Sequence, residues 1–191
     1  MALTRDQIVD AALEVAGDYG LGDLSMRRVA AELGVQAGAL YWHVANKQEL
    51  LIALSRRILD PASGAHAWPT EPREILRDFR SRLLALRDGA EIVAVAHADS
   101  PEELAPVPQL AAGLEDEHGA PAMARAKVLV RWAIGSVLAQ QTAQSLTAAT
   151  PSGEAVATAV EAQFELDFQQ GLTCLLPVAA GTQEQPSPES A

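Results

Sequence analysis

Apolar residues recur at helical spacing along most of this chain, and the tightest constraint lies in residues 23–51, DLSMRRVAAELGVQAGALYWHVANKQELL. That pattern is met by two short helices joined at a sharp corner. Met26, Val29, Ala30 and Leu33 form the stripe of the first, Ser25 caps it, Gly34 supplies the left-handed residue of the turn, and Val35 plugs the angle between the helices. The second helix is expected over residues 36–43. Leu40 is its inward residue, which leaves Gln36, Ala37, Ala39, Tyr41, Trp42 and His43 to face elsewhere.

Around this corner the punctuation is equally regular. Thr4 with Gln7 three residues on reads as a capping box, opening a helix whose buried stripe is Ile8, Ala12, Val15 and Tyr19 and which stops near Gly20 and Gly22. Asn46 with Glu49 starts another, carrying Leu50, Leu51, Leu54 and Ile58 until Asp60-Pro61 ends it. Residues 61–72, rich in Pro, Ala, Ser and Gly, read as a linker with Trp68 as a local packing anchor. Helical spacing returns from residue 73 through Ile75, Leu76, Phe79, Leu83, Leu84 and Leu86 to Asp88-Gly89, followed by a short apolar piece over 90–98. A helix over 108–118 should close at Gly119, and Pro121 suits the first turn of a long helix reaching residue 148. After a turn at 150–153 a final helix runs to 176, and the tail 177–191 has the composition of a disordered segment. No strand-like alternation appears. The expectation is an all-α chain: a helix-turn-helix domain of three helices over 1–60, a linker over 61–72, and a second helical domain over 73–176.

Composition narrows the function more than the fold. At 191 residues, 49% hydrophobic and 20% charged, the chain can build a substantial core. The single cysteine, Cys174, excludes an intrachain disulfide, and charge interrupts every apolar run before the roughly 18 residues a membrane span needs. With no leader-like segment, a cytoplasmic protein is expected. His43, His66, His97 and His118 lack metal-ligand spacing, and there is neither a Gly-rich phosphate loop nor a Gly-x-Ser-x-Gly motif. His97 and Asp99, two residues apart on a helix, do not face each other. No enzyme, metal or cofactor is expected.

The net charge of −11 by itself argues against a nucleic-acid partner, yet residues 1–60 hold six basic against eight acidic residues, so most of the excess acid lies beyond them. Non-specific DNA affinity should then be modest and salt-sensitive. The last two helices offer another partner. Ala126, Leu129, Val130, Ala133, Ile134, Val137 and Leu138 on one, with Val156, Val160, Phe164, Phe168, Leu172 and Leu175 on the other, exceed what one two-layer core needs. A four-helix contact between two copies would bury the excess; the alternative is that the whole set is intramolecular core.

LYWHVANK at 40–47, preceded by Thr4-Arg5-Asp6-Gln7-Ile8 and AALEVAGDYGLGDLSMRRVA, resembles the DNA-binding domain of the tetracycline repressor (TetR) family. FRSRLLALRDGA at 79–90, WAIGSVLAQQ at 132–141 and FQQGL at 168–172 resemble, more weakly, that family's ligand-binding and dimerisation core. The resemblance implies a homodimeric transcriptional regulator, a repressor in the first instance, that holds a pseudo-palindromic operator in double-stranded DNA and is released by a small lipophilic inducer. It assigns DNA contact to Ser25, Met26, Arg27, Arg28, Gln36, Ala37, Gly38, Ala39, Tyr41, Trp42, His43 and Lys47. Arg27 is the base reader of choice, since a guanidinium can bond guanine O6 and N7 together, while Tyr41 and Lys47 suit phosphate. Trp42 and His43 could instead pack on the helix that follows.

Two departures matter. Ala37-Gly38-Ala39 replaces the Gln-Pro-Thr triplet of the tetracycline repressor, so the operator must differ, with Gln36 taking over some of the reading. Val93 stands where that repressor has a magnesium-binding histidine, and Ala139 and Gln140 where its paired acids lie. A magnesium-tetracycline inducer is therefore disfavoured. The resemblance leaves a pocket lined by Phe79, Leu83, Leu86, Val93, His97, Trp132, Ser136 and Gln140, apolar with a few polar handles. The competing reading is a dimeric small-molecule-binding or interaction protein that has lost specific operator binding.

Overall fold

The computed structural model describes residues 3–59, 67–114, 120–148 and 153–176. Among them the elements are α1 (Arg5–Tyr19), α2 (Met26–Glu32), α3 (Ala37–Leu40), α4 (Lys47–Leu59), α5 (Pro72–Leu84), α6 (Gly89–Asp99), α7 (Val107–Gly113), α8 (Ala122–Ala148) and α9 (Gly153–Leu175), with no strand. The all-α expectation holds.

Local chemistry explains the helix starts. Thr4 Oγ1 accepts the Gln7 N–H at 3.3 Å while Gln7 Oε1 accepts the Thr4 N–H at 3.0 Å, closing the expected capping box. Ser25 Oγ accepts the Arg28 N–H at 3.2 Å. Before α4, Asn46 Oδ1 accepts the Glu49 N–H and Glu49 Oε2 accepts the Ala45 N–H, both at 2.8 Å. Gly34, at φ +65°, turns the chain between α2 and α3, a conformation that costs a side-chain-bearing residue.

Two cores follow from these elements. The first gathers Ile8, Val15, Leu24, Val29, Leu40 and Leu54 from α1 to α4 and takes in Ile92 of α6. The second gathers Phe79, Leu83, Val93, Leu110, Val130 and Phe168 from α5 to α9 and takes in Leu59 of α4. Each domain thus lends a residue to the other's interior. Ser55 of α4 seals the seam, its single hydroxyl proton shared between the carbonyls of Leu51 (2.8 Å) and Ile92 (2.9 Å). A second junction joins the end of α1 to the α5–α6 turn, where Asp88 Oδ2 accepts the Leu21 N–H at 2.8 Å.

Several elements depart from the sequence expectation. Tyr19 is not in the buried stripe of α1: it is exposed, with the Arg28 guanidinium 3.8 Å above its ring. α5 stops at Leu84, before the expected Asp88-Gly89. Asp88 takes a left-handed φ of 58°, and a Cβ on Gly89 would lie 2.3 Å from the Leu83 carbonyl oxygen, so the chain turns there only because residue 89 is glycine. α7 begins at Val107 and ends at Gly113 instead of running over 108–118. Its expected end at Gly119 lies outside the described residues, as do 61–66 of the linker, most of the turn at 150–153 and the tail 177–191. Trp68 does act as an anchor, its ring 4.3 Å from the Arg82 guanidinium.

Candidate nucleic-acid interface and ligand core

Leu40, 0% exposed, locks α3 onto the first core and thereby fixes what its other faces present. Tyr41 is 53% exposed and Trp42 90%. Packing of Trp42 on the following helix, the alternative left open by the sequence, does not occur. His43 is half-buried in the turn whose N–H groups at His43 and Val44 both donate to the Leu40 carbonyl at 2.9 Å. α3 is therefore a single turn extended by a looser one, shorter than the expected 36–43.

The remaining candidate DNA-contact residues divide by exposure. Ser25, Arg27, Gln36, Gly38 and Lys47 are exposed, and Ala39 is half-buried. Arg28 is half-buried under its stack with Tyr19, which holds its charge at the start of α2. Lys47 Nζ lies 3.4 Å from the Leu21 carbonyl. Met26 and Ala37 differ from expectation. Met26 is 7% exposed and belongs to the core, because the first residue after the Ser25 cap faces α1, and Ala37 packs on the same core. Met26 is thereby withdrawn from the surface, whereas Ala37 is half-buried like Ala39.

Among the described residues, the candidate ligand residues are distributed between the two cores and α8. Phe79, Leu83 and Val93 are fully buried in the second core, and Leu86 packs with the first, its Cδ1 3.7 Å from where a Cβ on Gly17 would stand. Ser136 is half-buried on α8 and Ala139 exposed. Trp132 is half-buried and stacks on Phe168 with centroids 4.8 Å apart, a contact that needs Gly171, since a Cβ there would come within 2.2 Å of the indole. His97 is buried, with neither ring nitrogen hydrogen-bonded. Burial first, then Arg131 and Lys127 on α8, hold its pKa below the ordinary imidazole value.

Gln140 leads to a group that sequence reasoning missed. Its Oε1 accepts from Arg80 Nη2 at 2.7 Å, and Arg80 in turn pairs with Glu165 of α9 at 2.6 Å. Beside them a cavity of about 210 Å³ opens between α5 and α9, lined by Arg77, Arg80, Ser81, Leu84, Glu165, Phe168 and Gln169. A visible signal existed: Arg73, Arg77 and Arg80 follow helical spacing on a face distinct from the Leu76–Leu83 stripe.

Comparison with known proteins places this geometry. Residues 8–54 match the family model for bacterial regulatory proteins of the tetR family, and residues 60–176 match that for the tetracyclin repressor-like C-terminal domain. The chain belongs to the TetR family. It is 40% identical over 97 residues to the class D tetracycline repressor of Escherichia coli, covering 47% of this chain and 44% of that one. The chain therefore spans less than half the length of this relative. Over nearly the whole fold it superposes on BioQ crystallised with its double-stranded DNA operator, at TM-score 0.67 and 32% identity, covering 92% of this chain and 99% of that one. It also superposes on a variant of TetR from Acinetobacter baumannii AYE in complex with minocycline, at TM-score 0.64 and 28% identity, with 91% of each chain covered. This TetR-family membership is that of regulators, not enzymes, in agreement with the sequence. Among the described residues no helix is long and apolar enough to cross a membrane.

Proposed function

We propose that this TetR-family chain is a cytoplasmic repressor that binds a pseudo-palindromic operator as a homodimer and is released by a small molecule. The observation that carries the reading is the α2–α3 corner itself, where Arg27, Tyr41 and Trp42 project from a rigidly capped scaffold beside Lys47. An aromatic of the size of Trp42 left 90% exposed has no intramolecular use. Arg27 is the base reader; Ser25, Arg28, Tyr41, His43 and Lys47 hold the backbone; Gln36, Gly38, Ala39 and Trp42 complete the surface on α3. The co-crystallised BioQ operator supports DNA as the partner.

Dimerisation rests on the other half. Of the large hydrophobic side chains exposed among the described residues, three lie in the DNA-binding domain, and the rest, Val128, Leu138, Leu146, Val156, Leu166 and Leu175, all lie on α8 and α9. Two copies joined through this face would bury it and set two α3 helices on one side of the DNA. Release follows from the seam. A ligand that shifts α5 or α6 acts through Ser55–Ile92 and Leu21–Asp88 on α4 and α1, and a preference of about 2.8 kcal/mol for the non-binding arrangement weakens the operator a hundredfold. The inducer is lipophilic, and with valine at position 93 release needs no magnesium.

Fluorescence anisotropy against DNA flanking the protein's own gene tests the reading. Saturable binding that a scrambled duplex does not compete away is expected. Equal affinity for both duplexes would instead identify an interaction protein that has lost operator recognition.

A further inference from the structure

We infer that the α5–α9 cavity is a carboxylate-binding site, and that its ligand is an organic acid with an apolar body and one negative charge. The inference deepens the ligand-responsive reading and rests on it only for its regulatory consequence.

In a chain of net charge −11, α5 turns three guanidinium groups toward α9. Arg73 bonds the Leu176 carbonyl, Arg77 bonds Gln169 Oε1 at 2.9 and 3.3 Å, and Arg80 pairs with Glu165. The side chains of Arg77 and Arg80 thus line the cavity of about 210 Å³. Arg80 matters most. Its side chain is 11% exposed, its Nε–H is buried and donates to nothing, and its carboxylate partner Glu165 is 46% exposed. A buried guanidinium with a spare donor beside open space is short of an acceptor, and a carboxylate takes two parallel N–H donors from one arginine. Glu165, on the solvent side, is an internal occupant that an incoming carboxylate can displace into water.

The rest of the cavity selects the body of the ligand. Leu84 supplies an apolar wall, and the Arg80 guanidinium lies 5.1 Å from the fully buried ring of Phe168, so a hydrocarbon body can lie against Leu84 with its carboxylate at Arg80. Phe168 stacks on Trp132, which makes the indole a built-in reporter. Moving Arg80 also releases Gln140 on α8, and α5 leads directly into the turn where Asp88 holds Leu21.

Binding of 1-naphthaleneacetate and of its neutral amide to the full-length protein, followed by tryptophan fluorescence with Trp42→Phe and Trp68→Phe in the background, tests the site. The acid should bind at least tenfold more tightly than the amide. Arg80→Met should abolish that preference, and Glu165→Gln, which removes the internal competitor, should tighten the acid severalfold. Equal affinity for acid and amide, acid binding untouched by Arg80→Met, or no binding to either wild type or Glu165→Gln at millimolar acid would each overturn the inference. Operator affinity measured with the same compounds on the chain that keeps Trp42 and Trp68 keeps the two claims apart. Acid bound with the operator still held supports the site and counts against its regulatory role. Release by neutral compounds that Arg80→Met leaves unchanged counts against the site and for ligand control.

Discussion

At the scale of single residues, Arg27 and Lys47 are both exposed cations, yet they should fail differently when removed. Arg27→Ala is expected to cost about 1–3 kcal/mol of operator affinity and to relax preference at one base pair, because a bidentate guanine contact is lost. Lys47→Ala should weaken all sequences alike and lower the salt slope by about 1. Anisotropy over a salt series on operator and single-base variants separates the two, and an Arg27→Ala protein with unchanged preference would place base reading elsewhere. His97 bears on stability instead. Its folded pKa lies below the ordinary value near 6.5, so the unfolded chain takes up the proton first as pH falls. Above about pH 6.5 the residue contributes no pH dependence; below it, stability is lost progressively toward the folded pKa. Groups facing it from α8 are Arg131 and Lys127, whose charge persists across this range. Thermal melts from pH 7 to 5 should show a Tm that falls less in His97→Phe than in the parent.

At the scale of elements, Gly34 and Gly38 make a matched pair, since neither would meet any atom within 4 Å on gaining a Cβ. Only Gly34 has positive φ. Gly34→Ala should therefore cost about 1–2 kcal/mol, while Gly38→Ala inside α3 should stabilise by up to about 1 kcal/mol. Urea midpoints with an unchanged m-value would check both signs. These positions also show what made the first domain legible. Caps, the left-handed glycine and the Leu40 plug are local and sit within a few residues of what they satisfy. Met26 was placed in the buried stripe by its spacing and given to DNA only by the family resemblance; the structure keeps it in the core. Leu86 was misplaced because the helical spacing of α5 was carried past Leu84, whereas the Asp88-Gly89 turn sends Leu86 toward α1. The arginine face of α5 was visible in its spacing, but the Arg80–Gln140 and Arg80–Glu165 pairings were not, because they join three helices across 60 and 85 residues of sequence.

At the scale of the whole molecule, two exposed surfaces divide the labour, an aromatic and cationic one on α2–α3 and an aliphatic one on α8–α9. If the second joins two copies, Leu166→Glu introduces a charge twice into one isologous contact and should raise the dimer dissociation constant at least about tenfold, or ~1.4 kcal/mol. Sedimentation equilibrium reads this, with far-ultraviolet circular dichroism showing the helices intact; an unchanged constant would move the interface off α9. The most direct test joins both surfaces. Sedimentation of the protein on an operator duplex should give two chains per site. Inserting about five base pairs between the half-sites, half of a roughly 10-bp turn, puts the second half-site on the opposite face of the DNA. Affinity should then collapse by about a hundredfold or more, to that of one half-site. Undiminished binding of two chains to the lengthened duplex would contradict a dimer that reads DNA through two fixed helix-turn-helix units.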